Sequence, residues 1–266
     1  DVKDPNVAQQ HPADYLEGLE LTVRGAMLEA GVEPAKVVGI GVDATASTPL
    51  PVDAQGQALA LTDAFKEDPD AMAWLWKDHS SLVEANEITA KAAALRPEYL
   101  AKCGGTYSSE WYWSKILHCA RVAPGVYAAA HDWIELPDWI PFVLTGQLSR
   151  CLCAAGHKGL YCPDWGGYAD ADFLAAVDPC LVRIREGLPD QAYHIGHTAG
   201  GLNAQWAGKL GLLEGIPVAM GIIDAHAGAV GSGIQPGTMV KIMGTSTCDI
   251  AVASLENKLP DIPGIC

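Results

Sequence analysis

The sequence predicts an α/β fold with a helical insertion in its middle. Two observations frame the α/β part: an amphipathic helix leads into a β-rich apolar run at 37–42, and a compact strand–turn–helix pattern occupies 218–233. A third supplies the insertion: between these two regions lie helical stretches at 80–95, 108–121 and 136–145.

Taken in order, residues 11–31 place Tyr15, Leu16, Leu19, Val23, Met27 and Leu28 at helical spacing, with Gly31 as the stop. The VVGIGV run at 37–42 reads as a buried strand. It ends in small polar residues, 43–48, at the kind of strand end where open α/β sheets bind ligands. Two alternating stretches, 48–53 and 57–62, joined by Ala54-Gln55-Gly56, read as a hairpin. Pro97 stops the 80–95 helix, Pro124 and Gly125 stop that at 108–121, and Gly146 stops that at 136–145. The stretch 149–169 shows little periodicity and reads as loop. Helical stretches follow at 170–177 and 204–210. After the 218–223 strand and the 224–233 helix come strands at 238–243 and 248–253, on either side of the turn Gly244-Thr245-Ser246-Thr247.

Composition narrows the function. The 266 residues carry a formal charge of −15, which disfavours nucleic acid or an anionic membrane surface as a general partner. A 49% hydrophobic content with 18% charged residues predicts a packed protein rather than a disordered one. No apolar run approaches the roughly 18 residues of a membrane span. The polar, acidic start, without an initiator methionine, reads as neither a signal peptide nor an ordinary beginning, and suggests part of a longer molecule. Eight cysteines in a chain this long fit free cytosolic thiols better than a disulfide scaffold. Cys151, Cys153, His157 and Cys162 offer a zinc reading, but the one-residue gap between the first pair is shorter than standard zinc spacings.

Several segments carry chemistry. In GIIDAHAGAVGSG (221–233), Asp224 follows a strand and opens a helix, where a carboxylate can take a proton from a substrate hydroxyl; the alternative is an N-cap. His226, two residues on, reads as a packed or surface imidazole. In KIMGTSTCDI (241–250), the Gly244-Thr245-Ser246 turn exposes N–H groups and hydroxyls suited to phosphate oxygens, or is simply a polar hairpin turn. No GxxxxGK[ST] loop is present. Eight tryptophans beside three phenylalanines suit a polyol ligand, since indole faces stack on sugar C–H surfaces. Among them Trp76, in WLWKDHS (74–80), is the better ligand candidate; Trp111 and Trp113, in YSSEWYWSKILH (107–118), suit the core. Lys158, in AGHKGLY (155–161), can reach a ligand oxygen or lie on the surface.

Together with GVDATASTPLPVD (41–53) and WIELPDWIPFVLTG (133–146), these segments resemble the FGGY family of carbohydrate kinases, and within it the ribulokinase branch. The resemblance covers most of the chain from about residue 37 onward. The run 43–49 departs from the xylulokinase pattern, and His79 stands where many members have an Arg; both, with Gly156-His157-Lys158 and the 244–249 turn, resemble that branch.

The resemblance implies a ribonuclease-H-like (actin-like ATPase) sugar kinase fold. Residues 1–215 would be the sugar-binding domain without its first strands, and 216–266 its end plus the start of a nucleotide-binding domain. No Asp-x-Gly-Thr phosphate loop precedes residue 37, and no glycine-rich adenosine site follows the 244–246 turn. By the same resemblance Asp224 is the catalytic base. The sugar meets the backbone near Ala46, the Trp76 indole, the Lys158 ammonium and Asp224, while Gly244, Thr245 and Ser246 hold nucleotide phosphate. The implied reaction is phosphorylation of a pentulose, L-ribulose first, in arabinose catabolism, with ATP and Mg²⁺ and with no residue assigned as a dedicated metal ligand. The implied setting is the cytoplasm, with a homodimer as the assembly open to it. Xylulose or ribitol as acceptor, or a sugar-binding module without catalysis, are the alternatives, and the chain by itself is expected to be inactive.

Overall fold

The computed structural model describes residues 4–244, 247–254, 256–257 and 260–265. The first helix runs Pro12–Ala30. The His11 side chain accepts from the Ala13 N–H at its start, Pro12 occupies the first turn, and Gly31 closes it at φ +62°. Tyr15, Leu16, Leu19, Val23 and Met27 pack against the core as their spacing predicts. Leu28 departs from the expectation and is 85% exposed. It sits one position past Met27, about 100° around the helix and off the packed stripe.

The β-rich run at 37–42 is extended but is not a buried strand: Val38 is 84% exposed, and regular pairing begins only at Asp43–Ala44. The central strand is instead the 217–223 segment. Pro217–Ala219 pairs antiparallel with Thr198–Gly201 on one edge. On the other edge Ile40 bridges Val218, and Asp43–Ala44 pairs parallel with Ile222–Ile223. Flanked on both edges, Val218 is fully buried, whereas the 37–42 run has this single described neighbour. The segment bends between Ala219 and Ile222, where Gly221 crosses the first turn of the Leu136–Thr145 helix. A β-carbon at Gly221 would lie 1.8 Å from the Pro137 carbonyl oxygen.

The predicted hairpin at 48–62 is half right. A tight turn links Asp53 to Gln57, and Val52 bridges Ala58, but the second arm winds into a 3₁₀ turn, Leu59–Leu61. The full partner of Pro49–Val52 is Asp132–Glu135, antiparallel with Pro49 opposite Glu135. That strand divides the interior by alternation: Trp133 faces a mostly helical core, and Ile134 faces a second core with Leu50, Val52 and Trp139.

The helical core is the predicted insertion. Leu82–Leu95, Tyr112–Val122, Ala171–Val177 and Cys180–Gly187 surround Trp74, Trp113, Trp133 and Phe173. The prolines expected to stop helices also start new ones: Pro97 opens Pro97–Ala101, and Pro124 opens Pro124–Ala129. A ring that removes an N–H costs nothing in a first turn. The 149–169 stretch is not a loop throughout, because Leu152–Lys158 is helical, followed by the short pair Tyr161–Cys162 and Gly167–Tyr168. Beyond the Asp224–Gly231 helix, Met239–Met243 and Thr247–Ala251 form the predicted antiparallel hairpin.

Two glycines test this account in opposite directions. Gly221→Ala is expected to lose about 3 kcal/mol of stability by urea unfolding, since backbone must move to admit one methyl group. Gly25 lies on the exposed face of the first helix with open space around it, so Gly25→Ala is expected to gain about 0.5–1 kcal/mol in the same measurement.

Candidate active site

The parallel pairing of Asp43–Ala44 with Ile222–Ile223 sends two chain segments off the same end of the sheet. One is the 45–48 loop, with Ala46 buried. The other is the Asp224–Gly231 helix, which Asp224 opens with its side chain exposed. The N-cap alternative for Asp224 does not hold: Ile223 occupies the cap, and among the described residues the Asp224 carboxylate accepts only from its neighbour, the Ala225 N–H, at 2.7 Å. The carboxylate is thus held near the positive end of a helix while remaining open to a ligand.

The 45–48 loop is tightly specified. Ser47, buried, takes φ +57°, a conformation that non-glycine residues enter only when their surroundings demand it. The Thr48 N–H donates to Glu135 Oε2 at 2.8 Å, and the Leu136 N–H donates to the Thr48 carbonyl at 3.1 Å. Thr45 and Thr48 share a hydroxyl bond of 3.0 Å. The Lys115 ammonium donates to the Ser47 carbonyl at 2.5 Å, to that of Leu75 at 2.7 Å and to that of Trp74 at 3.3 Å. Lys115 is fully buried, as is the Trp113 indole two residues before it. Burial pushes the Lys115 ammonium below the usual lysine range and the Glu135 carboxyl above the usual carboxylate range. Their mutual attraction opposes both shifts.

Trp76 follows the segment that Lys115 holds and is half-buried, while Trp74 is sealed in the core. Six of the eight tryptophans are buried, so the sugar-stacking expectation narrows to Trp76 and Trp165. On the far side of Trp76, Asp78 is buried and accepts from the Ala8 N–H at 2.7 Å, lacing the start of the chain to this segment.

Lys158 ends the Leu152–Lys158 helix with its ammonium 5.1 Å from the Trp111 ring centroid, a cation–π contact. The same helix meets the Asp224 helix through Cys153 Sγ and His226 Nδ1, 2.7 Å apart, and through the edge-to-face rings of His157 and His226 at 4.7 Å. His226 is thus a packed imidazole. Burial lowers the His157 pKa to about 4, and burial with the nearby Lys158 charge lowers that of His226. Both rings are therefore neutral at neutral pH. Burial also pushes the Cys153 thiol up to about 11, so it is a packed thiol rather than a nucleophile.

The zinc reading fails on this geometry. Cys151 is buried and caps its helix by accepting from the Ala154 N–H, and Cys153 faces His226. Among the described residues no three His, Cys, Asp or Glu side chains gather to hold a metal.

Gly244 is exposed in the turn that Met243 and Thr247 close. Thr245 and Ser246 lie outside the described residues. The hairpin leans on the Asp224 helix at Gly228, where a β-carbon would come within 3.0 Å of Ile242 Cδ1.

Sequence reasoning passed over Lys115, Glu135, Asp138 and Arg150. Arg150 is buried, paired with Asp132 and bonded to the Trp133 carbonyl at 3.0 Å; Asp138 accepts from the Cys151 N–H at 2.7 Å. The available signal was a charge inside an apolar run, as in WYWSKIL and WIELPDWI. A concavity of about 340 Å³ lies elsewhere, between Met27, Gly31, Pro34 and Leu210, and contains none of these groups. Among the described residues no helix is long and apolar enough to cross a membrane.

Residues 1–231 match the model of the FGGY family of carbohydrate kinases, N-terminal domain. The chain is 41% identical over 267 residues to a ribulokinase of Vibrio parahaemolyticus, covering 97% of this chain and 47% of that protein. It is 40% identical to a ribulokinase of Bacillus licheniformis, with 97% and 47% covered. The chain thus spans about half the length of the curated relatives it matches. A xylulose kinase structure from Rhodospirillum rubrum superposes with a TM-score of 0.75 at 20% identity, over 98% of this chain and 49% of that one. A ligand-bound xylulose kinase from Lactobacillus acidophilus gives 0.73 at 16%, over 92% and 46%. The fold is therefore that of the actin-like ATPase-type sugar kinases, as the motifs predict. With the family model covering most of its length, this chain belongs to the FGGY family of carbohydrate kinases.

Proposed function

We propose that the protein carrying this chain phosphorylates a sugar hydroxyl from ATP, with a ketopentose, L-ribulose first, as acceptor. One observation carries the reading: Ala46, Trp76, Lys158 and Asp224 lie on segments tied into one another. The strand register joins the Ala46 loop to Asp224, Lys115 joins the Ala46 loop to the Trp76 segment, and the Cys153–His226 contact joins the Lys158 helix to the Asp224 helix. The names of the relatives support the choice of ribulose.

In this reading the 45–48 backbone and the Trp76 ring hold the sugar, and Lys158 donates to one of its oxygens. The Asp224 carboxylate takes the proton of the acceptor hydroxyl as that oxygen bonds to the γ-phosphorus and ADP leaves. Mg²⁺ is proposed to arrive with the nucleotide phosphates. Mg²⁺ would contribute charge neutralisation there. Gly244, with Thr245 and Ser246, is proposed to meet the phosphates. Residues 1–215 are proposed as the sugar-binding domain and 216–266 as the beginning of the nucleotide half, so that this chain alone turns over little or no sugar. The reading places the protein in the cytoplasm.

Asp224→Asn in the complete protein that carries this sequence is expected to lower kcat at least about 100-fold with the thermal unfolding curve unchanged; near-normal turnover would exclude Asp224 as the base. Lys158→Ala is expected to raise KM for the sugar about tenfold or more with a smaller change in kcat, and an unchanged KM removes it from the site. A panel of L-ribulose, D-xylulose, ribitol and related acceptors, followed by coupled ADP release, tests the substrate: highest kcat/KM on a ketopentose other than ribulose corrects the substrate, and no turnover of any acceptor overturns the kinase reading.

A further inference from the structure

We infer that Lys115 is a positioning residue for the sugar: its buried ammonium clasps the backbone of the Ala46 loop to the backbone of the Trp76 segment and presets both for the ligand. This rests on the sugar site of the preceding section.

Lys115 lies in the Tyr112–Val122 helix, outside both segments, and its three described hydrogen bonds all go to backbone carbonyls, of Ser47, Trp74 and Leu75. A buried ammonium is costly unless its donors are satisfied and opposite charge stands near. Here the three carbonyls satisfy the donors. Glu135, Asp78 and Glu110 supply negative charge around it, against the single like charge of Lys158. A residue serving the core alone would be met more cheaply by methionine or leucine, so the expense points to a role for the geometry it imposes.

That geometry is strained at one place. Ser47 holds φ +57° although it is neither glycine nor asparagine. The Lys115 bond pulls the Ser47 carbonyl inward from one side. The Glu135 carboxylate, fully buried, holds the next N–H, that of Thr48, from the other. Between them the two side chains fix the Ser47–Thr48 peptide, one residue past Ala46. Strain that the surroundings pin in this way belongs to a surface shaped before its ligand arrives. Lys115 also holds the carbonyl of Leu75, immediately before Trp76, so one side chain sets the spacing between the loop and the indole.

The test compares wild type with Lys115→Met in the complete protein that carries this sequence. Expected are a rise of at least about tenfold in KM for the sugar, kcat within about threefold, an unchanged KM for ATP, and faster amide exchange in the peptide spanning 43–50. Adding Ser47→Gly to Lys115→Met is expected to recover part of the lost affinity, because glycine takes a positive φ without the clasp. A folded Lys115→Met with unchanged sugar KM overturns the inference. So does a general loss of stability and of both kinetic constants that Ser47→Gly does not relieve, since that is the behaviour of a merely structural lysine. If Lys115→Met does not fold, Glu135→Gln takes its place. It keeps an oxygen for the Thr48 N–H while removing the charge that favours the ammonium, and it is expected to raise sugar KM in the same way; an unchanged KM again overturns the clasp. Absence of sugar turnover in the wild type is a separate result, which overturns the kinase reading and this assignment with it.

Discussion

Everything at the candidate site depends on one register: Asp43 beside Ile222 and Ala44 beside Ile223, parallel, joining segments far apart in the chain. A shift of one residue would turn each side chain to the other face and part the Ala46 loop from Asp224. Gly221 makes the register physically available. It lets the 217–223 segment pass against the Pro137 carbonyl, closer than any β-carbon permits, and deliver Asp224 to the sheet's ligand end. The Leu136–Thr145 helix that Gly221 touches begins directly after Glu135, which in turn holds Thr48. One close contact thereby couples both sides of the site.

Around that register the protein places charge where apolar residues would be cheaper. Lys115, Glu135, Asp138, Asp132 and Arg150 are all buried, and each forms hydrogen bonds or faces opposite charge on the strand and helices that line the site. Removing one member of such a set leaves its partners buried and uncompensated, so the set acts as a unit. Its effect is rigidity at the 45–48 loop. The proposed sugar-facing groups Trp76, Lys158 and Asp224 stay at least partly exposed. A rigid frame with open reactive groups suits binding a small, hydroxyl-rich molecule, where orientation rather than buried area supplies selectivity.

The residues that read correctly from the sequence are those governed by local rules. Gly31 ends the first helix at φ +62°, Gly146 ends another at φ +75°, and the two strands read on either side of the 244–247 turn pair with each other. The readings that failed depended on distant partners. The 48–62 hairpin loses its second arm because Pro49–Val52 finds its full partner eighty residues away in Asp132–Glu135. The 149–169 stretch reads as loop because Gly156 and Gly159 weaken the helical pattern, yet Cys151 caps a helix there whose other faces are supplied by tertiary neighbours. Lys115 looked like one polar residue in an aromatic run, since nothing local tells whether an ammonium meets water or three carbonyls.

By itself, then, the sequence determined the class of the fold, the helical insertion and the motif pattern of a sugar kinase family. These follow from periodicity, punctuation and short motifs, all of which act over a few residues. Only the tertiary structure decided which strand is central, that the 45–48 loop is held in a strained conformation, and that Lys115 and Glu135 hold it. Those outcomes depend on burial and on contacts between segments far apart in the chain. The cost of a buried charge or of a missing β-carbon exists only once the segments have met.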